Sequence, residues 1–359
     1  MTEKGHFTRQ EILTQPEAWA AALEVLNGQR QAILDFGPAL GKSVVGGGGH
    51  PYDQIIYTGC GSTYYLALAA AALTQELTGK TSRAFPASEL WFYPQSSYQE
   101  RGGNPNGGRT LLVAVSRSGE TTETLRACEA FLAEGGGDLI TLSCYDDQPL
   151  ARMGILNLVL PSGQEQSVAQ TRAFSTLYLA TTALGTLWAG RPDLFDSLTT
   201  LPEAARRLLG RYAVLAAGSG RNADFDRFYW LGSGSRYGLA CELSLKMKEM
   251  SLSHSEPFYF MEFRHGPKSM VTASTLILGL VSERHLETEM RVLEEMKAMG
   301  ATALALGEQR GDIVFNSHVE EVVRNVLYLP FGQLLAFERS LSKGLDPDRP
   351  NNLDTVVRL

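Results

Sequence analysis

The segment Ser116-Arg117-Ser118-Gly119-Glu120-Thr121-Thr122 packs hydroxyl side chains around a single glycine. The apolar run Thr110 to Val115 precedes it and reads as a buried parallel strand. Leu125, Cys128, Phe131 and Leu132 follow at helical spacing. The hydroxyls therefore fall where a strand turns into a helix. That place offers backbone N–H groups and the positive end of a helix dipole, which suits an anion such as phosphate. Ser116, Ser118 and Thr121 can donate further hydrogen bonds without bulk. Capping a helix would use one such hydroxyl, so the number exceeds what a cap requires. A second turn of the same kind, Gly59-Cys60-Gly61-Ser62-Thr63, follows the apolar Ile55-Ile56-Tyr57. Gly61, Ser62 and Thr63 are candidates for the same anion. Arg117 would either strengthen that site or face solvent.

The elements that must hold these turns follow an α/β rhythm. Arg9 to Leu40 reads as helical, with Ile12, Trp19, Leu23 and Leu26 on one amphipathic stretch. Gly46 to Pro51 is a breaker and Ser96 to Gly108 a polar, glycine-rich loop. Strands are predicted at 54–57, 110–115, 138–142 and 156–160, with helices at 64–77, 124–132 and 173–188. The plan then repeats. Strands at 228–231, 276–281, 302–306 and 326–329 alternate with helices at 201–215, 236–250 and 285–299. Tyr57-Thr58-Gly59-Cys60-Gly61-Ser62 aligns with Trp230-Leu231-Gly232-Ser233-Gly234-Ser235. This pattern predicts an internally duplicated, doubly wound α/β fold. Ligands of such sheets sit outside the carboxyl ends of the strands, where all these glycine–hydroxyl turns fall.

Composition narrows the function classes. The chain has 359 residues, 44% of them hydrophobic and 20% charged, as in ordinary globular proteins. A net charge of -7 without a basic block argues against a nucleic-acid partner. The longest apolar stretch, near Leu66 to Leu73, is too short for a bilayer, and no apolar leader follows Met1. The expected compartment is cytoplasmic. Cys60, Cys128, Cys144 and Cys241 form no CxxC pair and read as reduced thiols. The six histidines show no metal-binding spacing. Gly59-Cys60-Gly61 lacks the third glycine of a dinucleotide fingerprint. No cofactor is expected.

Five motifs in order give the chain a family resemblance over nearly its whole length. They are the two turns above, Val168-Ala169-Gln170-Thr171-Arg172-Ala173-Phe174, Leu245-Lys246-Met247-Lys248-Glu249, and Glu262-Phe263-Arg264-His265-Gly266-Pro267. The sequence resembles the sugar-isomerase (SIS) family. It looks like the isomerase part of glutamine–fructose-6-phosphate aminotransferases and like stand-alone relatives acting on amino-sugar phosphates. The opening Gln10 to Trp19 is similar to the galactosamine-6-phosphate deaminase/isomerase group. The resemblance implies two tandem flavodoxin-like units with an N-terminal helical extension. Their expected boundaries are 1–45 for the helical segment, 46–192 and 193–345 for the two SIS domains, and 346–359 for a tail closing over the active site.

The same resemblance implies roles. Gly61, Ser62, Thr63, Ser116, Arg117, Ser118, Thr121, Val168 and Lys246 would contact a sugar phosphate. Glu249 would shuttle a proton between neighbouring carbons, and His265, donated by the other subunit of a homodimer, would open the ring. Glu249 also stands three residues from Lys246, a spacing suited to an ordinary helical ion pair. Two departures from the aminotransferases stand out. The first cysteine is Cys60, so the glutaminase nucleophile is not expected here. Thr355 stands where those enzymes carry a Schiff-base lysine, and no lysine follows Lys343. The implied activity is therefore deamination and isomerisation of a hexosamine 6-phosphate. The alternatives are a fructosamine-6-phosphate deglycase and a non-catalytic sugar-phosphate sensor.

Overall fold

The computed structural model describes residues 3–36, 52–98 and 109–358. The Gly46–Pro51 breaker and most of the Ser96–Gly108 loop lie outside them. Contacts divide the chain into two compact units that interleave in sequence. One contains Ala18–Gln164 and Ala173–Thr199 with the last residues from Val356. The other contains Thr200–Thr355 together with Glu165–Arg172 and the amino-terminal stretch to Glu17.

In the first unit the strands are β1 (Gln54–Gly59), β2 (Ser82–Pro86), β3 (Thr110–Val115), β4 (Gly137–Ser143) and β5 (Leu156–Val159). All pair parallel in the order β2-β1-β3-β4-β5. α1 (His6–Leu13) packs with the other unit; here α2 (Gln15–Gly28), α3 (Arg30–Leu34), α4 (Ser62–Thr78), α5 (Ala87–Phe92), α6 (Thr122–Ala133), α7 (Arg172–Trp188) and α8 (Pro192–Ser197) accompany the strands. β3 is buried at every residue, as its unbroken apolar run requires for a central parallel strand. Ile56, Leu112 and Ala114 of the sheet meet Ala127, Cys128 and Phe131 of α6 in one apolar cluster.

The second unit repeats this plan. Its strands are β6 (Arg227–Gly232), β7 (His254–Phe258), β8 (Thr275–Leu280), β9 (Thr302–Gly307) and β10 (Ile313–Val314). They are parallel in the order β10-β9-β8-β6-β7, the same winding as the first sheet. α9 (Leu201–Arg221), α10 (Ser235–Ser251), α11 (Phe260–Phe263), α12 (Leu286–Ala298) and α13 (Leu329–Ser342) complete it. The 2-1-3-4-5 order of a flavodoxin-like sheet thus occurs twice, with the switch point beside β1 and β3 in one and beside β6 and β8 in the other.

The expectation of a strand at Val326–Leu329 is corrected. Those residues form a 3-10 turn, Asn325–Tyr328, that leads into α13. Pro330 in the first turn of α13 is preset for a helix and cannot extend a central strand. The apolar run reflects complete burial against α9 and α10 instead of sheet pairing.

Candidate active site

In the first unit, β3 ends in a tight, buried turn. Ser116 N–H bonds to the Leu142 carbonyl at 3.0 Å, which keeps the turn in line with β4. The Ser116 hydroxyl accepts the Gly119 N–H at 3.1 Å, and the Ser118 hydroxyl accepts the Glu120 N–H at 3.3 Å. Both hydroxyls lie 3.4 Å from Thr121 Oγ1, so the three predicted ligands converge. Gly119 has φ +73°, and a Cβ there would press 2.9 Å from Gln148, so the position requires glycine twice over. Thr121 is the N-cap of α6 without a side-chain cap bond, leaving its hydroxyl to the cluster. Arg117 is only 5% exposed, which excludes the solvent-facing alternative.

The turn after β1 divides its predicted residues. Gly61 is the N-cap of α4, at φ 54° and ψ −121°, with open space where a Cβ would be. Ser62 is buried in the first turn of that helix. The Thr63 hydroxyl instead closes the turn. It accepts the Cys60 N–H and donates to the Cys60 carbonyl, both at 2.9 Å. Cys60 is half-buried, and burial pushes its thiol up to about 11, so it is no ready nucleophile.

In the second unit, α10 carries a buried charge array. Lys246 Nζ sits 2.5 Å from Glu249 and 3.4 Å from Glu242, all on one helix face at i+3 and i−4. The side chains of Glu242 and Lys246 are 0% and 1% exposed, whereas that of Glu249 is 19% exposed. Burial opposes the ammonium charge, but the carboxylates of Glu242 and Glu249 outweigh it and hold the Lys246 pKa above its usual value. Lys246 is thus a fixed cation serving Glu249, and Glu249 alone of the three opens outward. Lys343 Nζ bonds the carbonyls of Ser251 and Leu252 at the end of α10, anchoring that helix.

Val168 lies on the strap Glu165–Arg172, which packs with the second unit. Sequence reasoning missed what holds it. The buried Glu11 of α1 accepts the Gln166 N–H at 2.6 Å, the Ser167 N–H at 3.3 Å, and the Ser167 hydroxyl. Glu165 accepts the N–H groups of Thr171 and Arg172 and the Thr171 hydroxyl. The Val168 N–H bonds the Asp348 carbonyl, while the Asp348 carboxylate caps α1 through Phe7 and Thr8. Gln333 of α13 donates to the Thr171 carbonyl. Glu165 also acts electrostatically on Lys246, tying the strap to the charge array.

His265 is exposed in the β7–β8 crossover, its N–H bonded to the Glu262 carbonyl at 2.9 Å. It precedes Gly266, at φ +130°, and Pro267. Lys248 is exposed, and His254 lies on the surface 3.5 Å from Glu256. Among the described residues no group of acids, cysteines or histidines could hold a metal ion, and no helix is long and apolar enough to cross a membrane.

The SIS domain model matches residues 51–187 and 223–321, one stretch for each sheet. The chain belongs to the SIS-domain family. It is 27% identical over 99% of its length to the glutamine–fructose-6-phosphate aminotransferase of Thermococcus kodakarensis, and 28% identical to that of Methanothermobacter thermautotrophicus. It spans 59% and 58% of those two relatives. Among solved structures, the glucosamine-6-phosphate deaminase of Thermotoga maritima is similar with a TM-score of 0.80 and 26% identity, covering 98% of this chain and 99% of that one. The tagatose-6-phosphate ketose/aldose isomerase of Escherichia coli shares the fold, with a TM-score of 0.83 at 23% identity, covering 96% of this chain and 95% of that one.

Proposed function

We propose that this SIS protein is a phosphosugar isomerase that converts a hexosamine 6-phosphate to a ketose 6-phosphate and ammonia, acting as a cytoplasmic homodimer. The observation that carries the reading is the Glu242–Lys246–Glu249 array, in which a fixed cation aims one partly exposed carboxylate outward. Ser116, Ser118, Thr121 and Ser62 take the phosphate, with Arg117 adding positive charge. Thr63 shapes its turn and Gly61 leaves room for the phosphate oxygens. His265 transfers the proton that opens the ring. Glu249 then takes the proton from carbon-2 and returns it to carbon-1. As carbon-1 is protonated its carbonyl oxygen gains a proton and the amino nitrogen loses one, so carbon-1 becomes a hydroxymethyl group and carbon-2 an imine. Water then replaces the nitrogen, releasing ammonia and leaving the ketose. None of these steps requires a lysine imine at the Thr355 position. The similarity to a named glucosamine-6-phosphate deaminase, with a TM-score of 0.80 at 26% identity, supports this choice.

The test is ammonia and ketose release from glucosamine, galactosamine and fructosamine 6-phosphates. Turnover of either hexosamine is the expected result. It should fall by about 10²–10⁴-fold in Glu249→Gln, which keeps the Lys246 contact but not the base. Turnover of fructosamine 6-phosphate alone would make the protein a deglycase. Tight binding of all three without turnover would make it a sensor.

A further inference from the structure

The duplicated fold contains the phosphate turn twice, yet the two copies are filled differently. Gly61 and Gly234 are the N-caps of α4 and α10, with φ/ψ of 54°/−121° and 60°/−135°. Four residues beyond the strand-final glycine the copies diverge. Gly59 is crowded by Thr63 at that position, and Gly232 by the Arg236 backbone. After the central strand, the first unit has its hydroxyl cluster at 116–121. The second has Ser282-Glu283-Arg284-His285 leading into α12. There the N–H groups of Glu283 and Arg284 point at one anion, the Glu321 carboxylate, at 2.9 and 3.2 Å. Arg236, only 7% exposed, reaches the same carboxylate through Nη1 at 2.6 Å, and its buried Nε has no hydrogen-bond partner among the described residues.

Two turn N–H groups and a buried guanidinium on one pair of oxygens is the donor set that a phosphate would take. Burial resists charge on Glu321, but Arg236 and these N–H groups overcome it and hold the carboxyl below its usual range. The turn is open to solvent at Glu283, Arg284 and His285, so access does not explain why a side chain fills it. We propose that the Glu283 and Arg284 N–H groups, with Arg236, form a second phosphate-binding turn that this chain keeps closed with its own Glu321 carboxylate. The Ser282 N–H and hydroxyl take no part, being held by the buried Glu289 carboxylate at 2.6 and 3.0 Å. The protein would then take its phosphomonoester at one of two duplicated positions. The donors of the other remain in place, including the spare Arg236 N–H.

The prediction is a gain of binding. Inorganic phosphate is titrated into wild type, Glu321→Ala and Arg236→Met/Glu321→Ala by calorimetry, with phosphorus NMR as a second readout. Glu321→Ala should bind one more phosphate per chain than wild type, and the double variant should lose that extra site. A folded Glu321→Ala protein with unchanged stoichiometry overturns the proposal, as does an extra site that survives loss of Arg236. If Glu321→Ala does not fold, Glu321→Ser removes the carboxylate and shortens the side chain, and is read in the same way. The outcome is separable from the phosphate role given to the first unit. Wild type without phosphate binding, beside a Glu321→Ala protein that binds it, would refute that role and leave this one standing.

Discussion

At the scale of single residues, the chemistry of α10 depends on Lys246 having no route to water. Its ammonium is balanced by Glu242 on one side and Glu249 on the other. Lys246→Met removes that cation while Glu242 stays fully buried, so it should cost about 3–5 kcal/mol of stability in urea unfolding. Adding Glu242→Gln removes the stranded charge and should recover more than half of the loss. A single variant as stable as wild type would mean that the array is not a buried ion pair in solution. Legibility at this scale followed chain distance. Ser116, Ser118, Thr121, Lys246 and Glu249 lie within seven residues of one another in their own groups, so spacing exposed them. Glu11 acts on residues 155 and 156 positions away, and no local pattern announces such a partner. Its only sequence signal was its place in the Gln10–Trp19 motif. Thr63 shows the reverse error: a hydroxyl in the right turn is used to build the turn.

Among the secondary-structure elements, the central strands were legible because full burial writes an unbroken apolar run, as in β3 and β8. The edge strands β2 and β7 escaped notice. Each is short, mixed in polarity and contains a proline, Pro86 or Pro257, which only an edge tolerates. The 3-10 turn that leads into α13 reads as a strand in the sequence because the run Val326–Leu329 is apolar and fully buried. The strap Glu165–Arg172 is an element without regular structure, and its stability rests on α1. Burial, and then the nearby Glu165 carboxylate, push the Glu11 carboxyl from its usual 4.5 up to about 7. The folded protein therefore binds more protons here than the unfolded chain between those values. By linkage, the Glu11 contribution is complete below about 4.5 and is lost as pH rises through about 7. Glu11→Gln should flatten this part of the stability–pH curve, measured by urea unfolding across that range. An unchanged slope would show that Glu11 does not titrate in the window.

For the whole molecule, the duplication supplies two similar sheets whose turns carry unlike chemistry, hydroxyls in one and carboxylates in the other. A reaction that uses Glu249 as its base still needs a group for the ring oxygen. His265 is exposed at a bend that Gly266 and Pro267 fix, which suits presentation to a second molecule. A symmetric dimer that exchanges this histidine makes a prediction that no monomeric site can meet. Glu249→Gln and His265→Ala proteins are each expected to be nearly inactive alone. When equal amounts are unfolded and refolded together, half of the dimers should be mixed. In a mixed dimer one site collects both lesions and the other receives an intact glutamate and an intact histidine. Activity should therefore return to roughly a quarter of the wild-type value, by the statistics of random pairing in a twofold dimer. If both residues of a site came from one chain, every site would keep a lesion and the mixture would stay as inactive as its parts. Size-exclusion chromatography of the refolded mixture separates that result from a failure to pair.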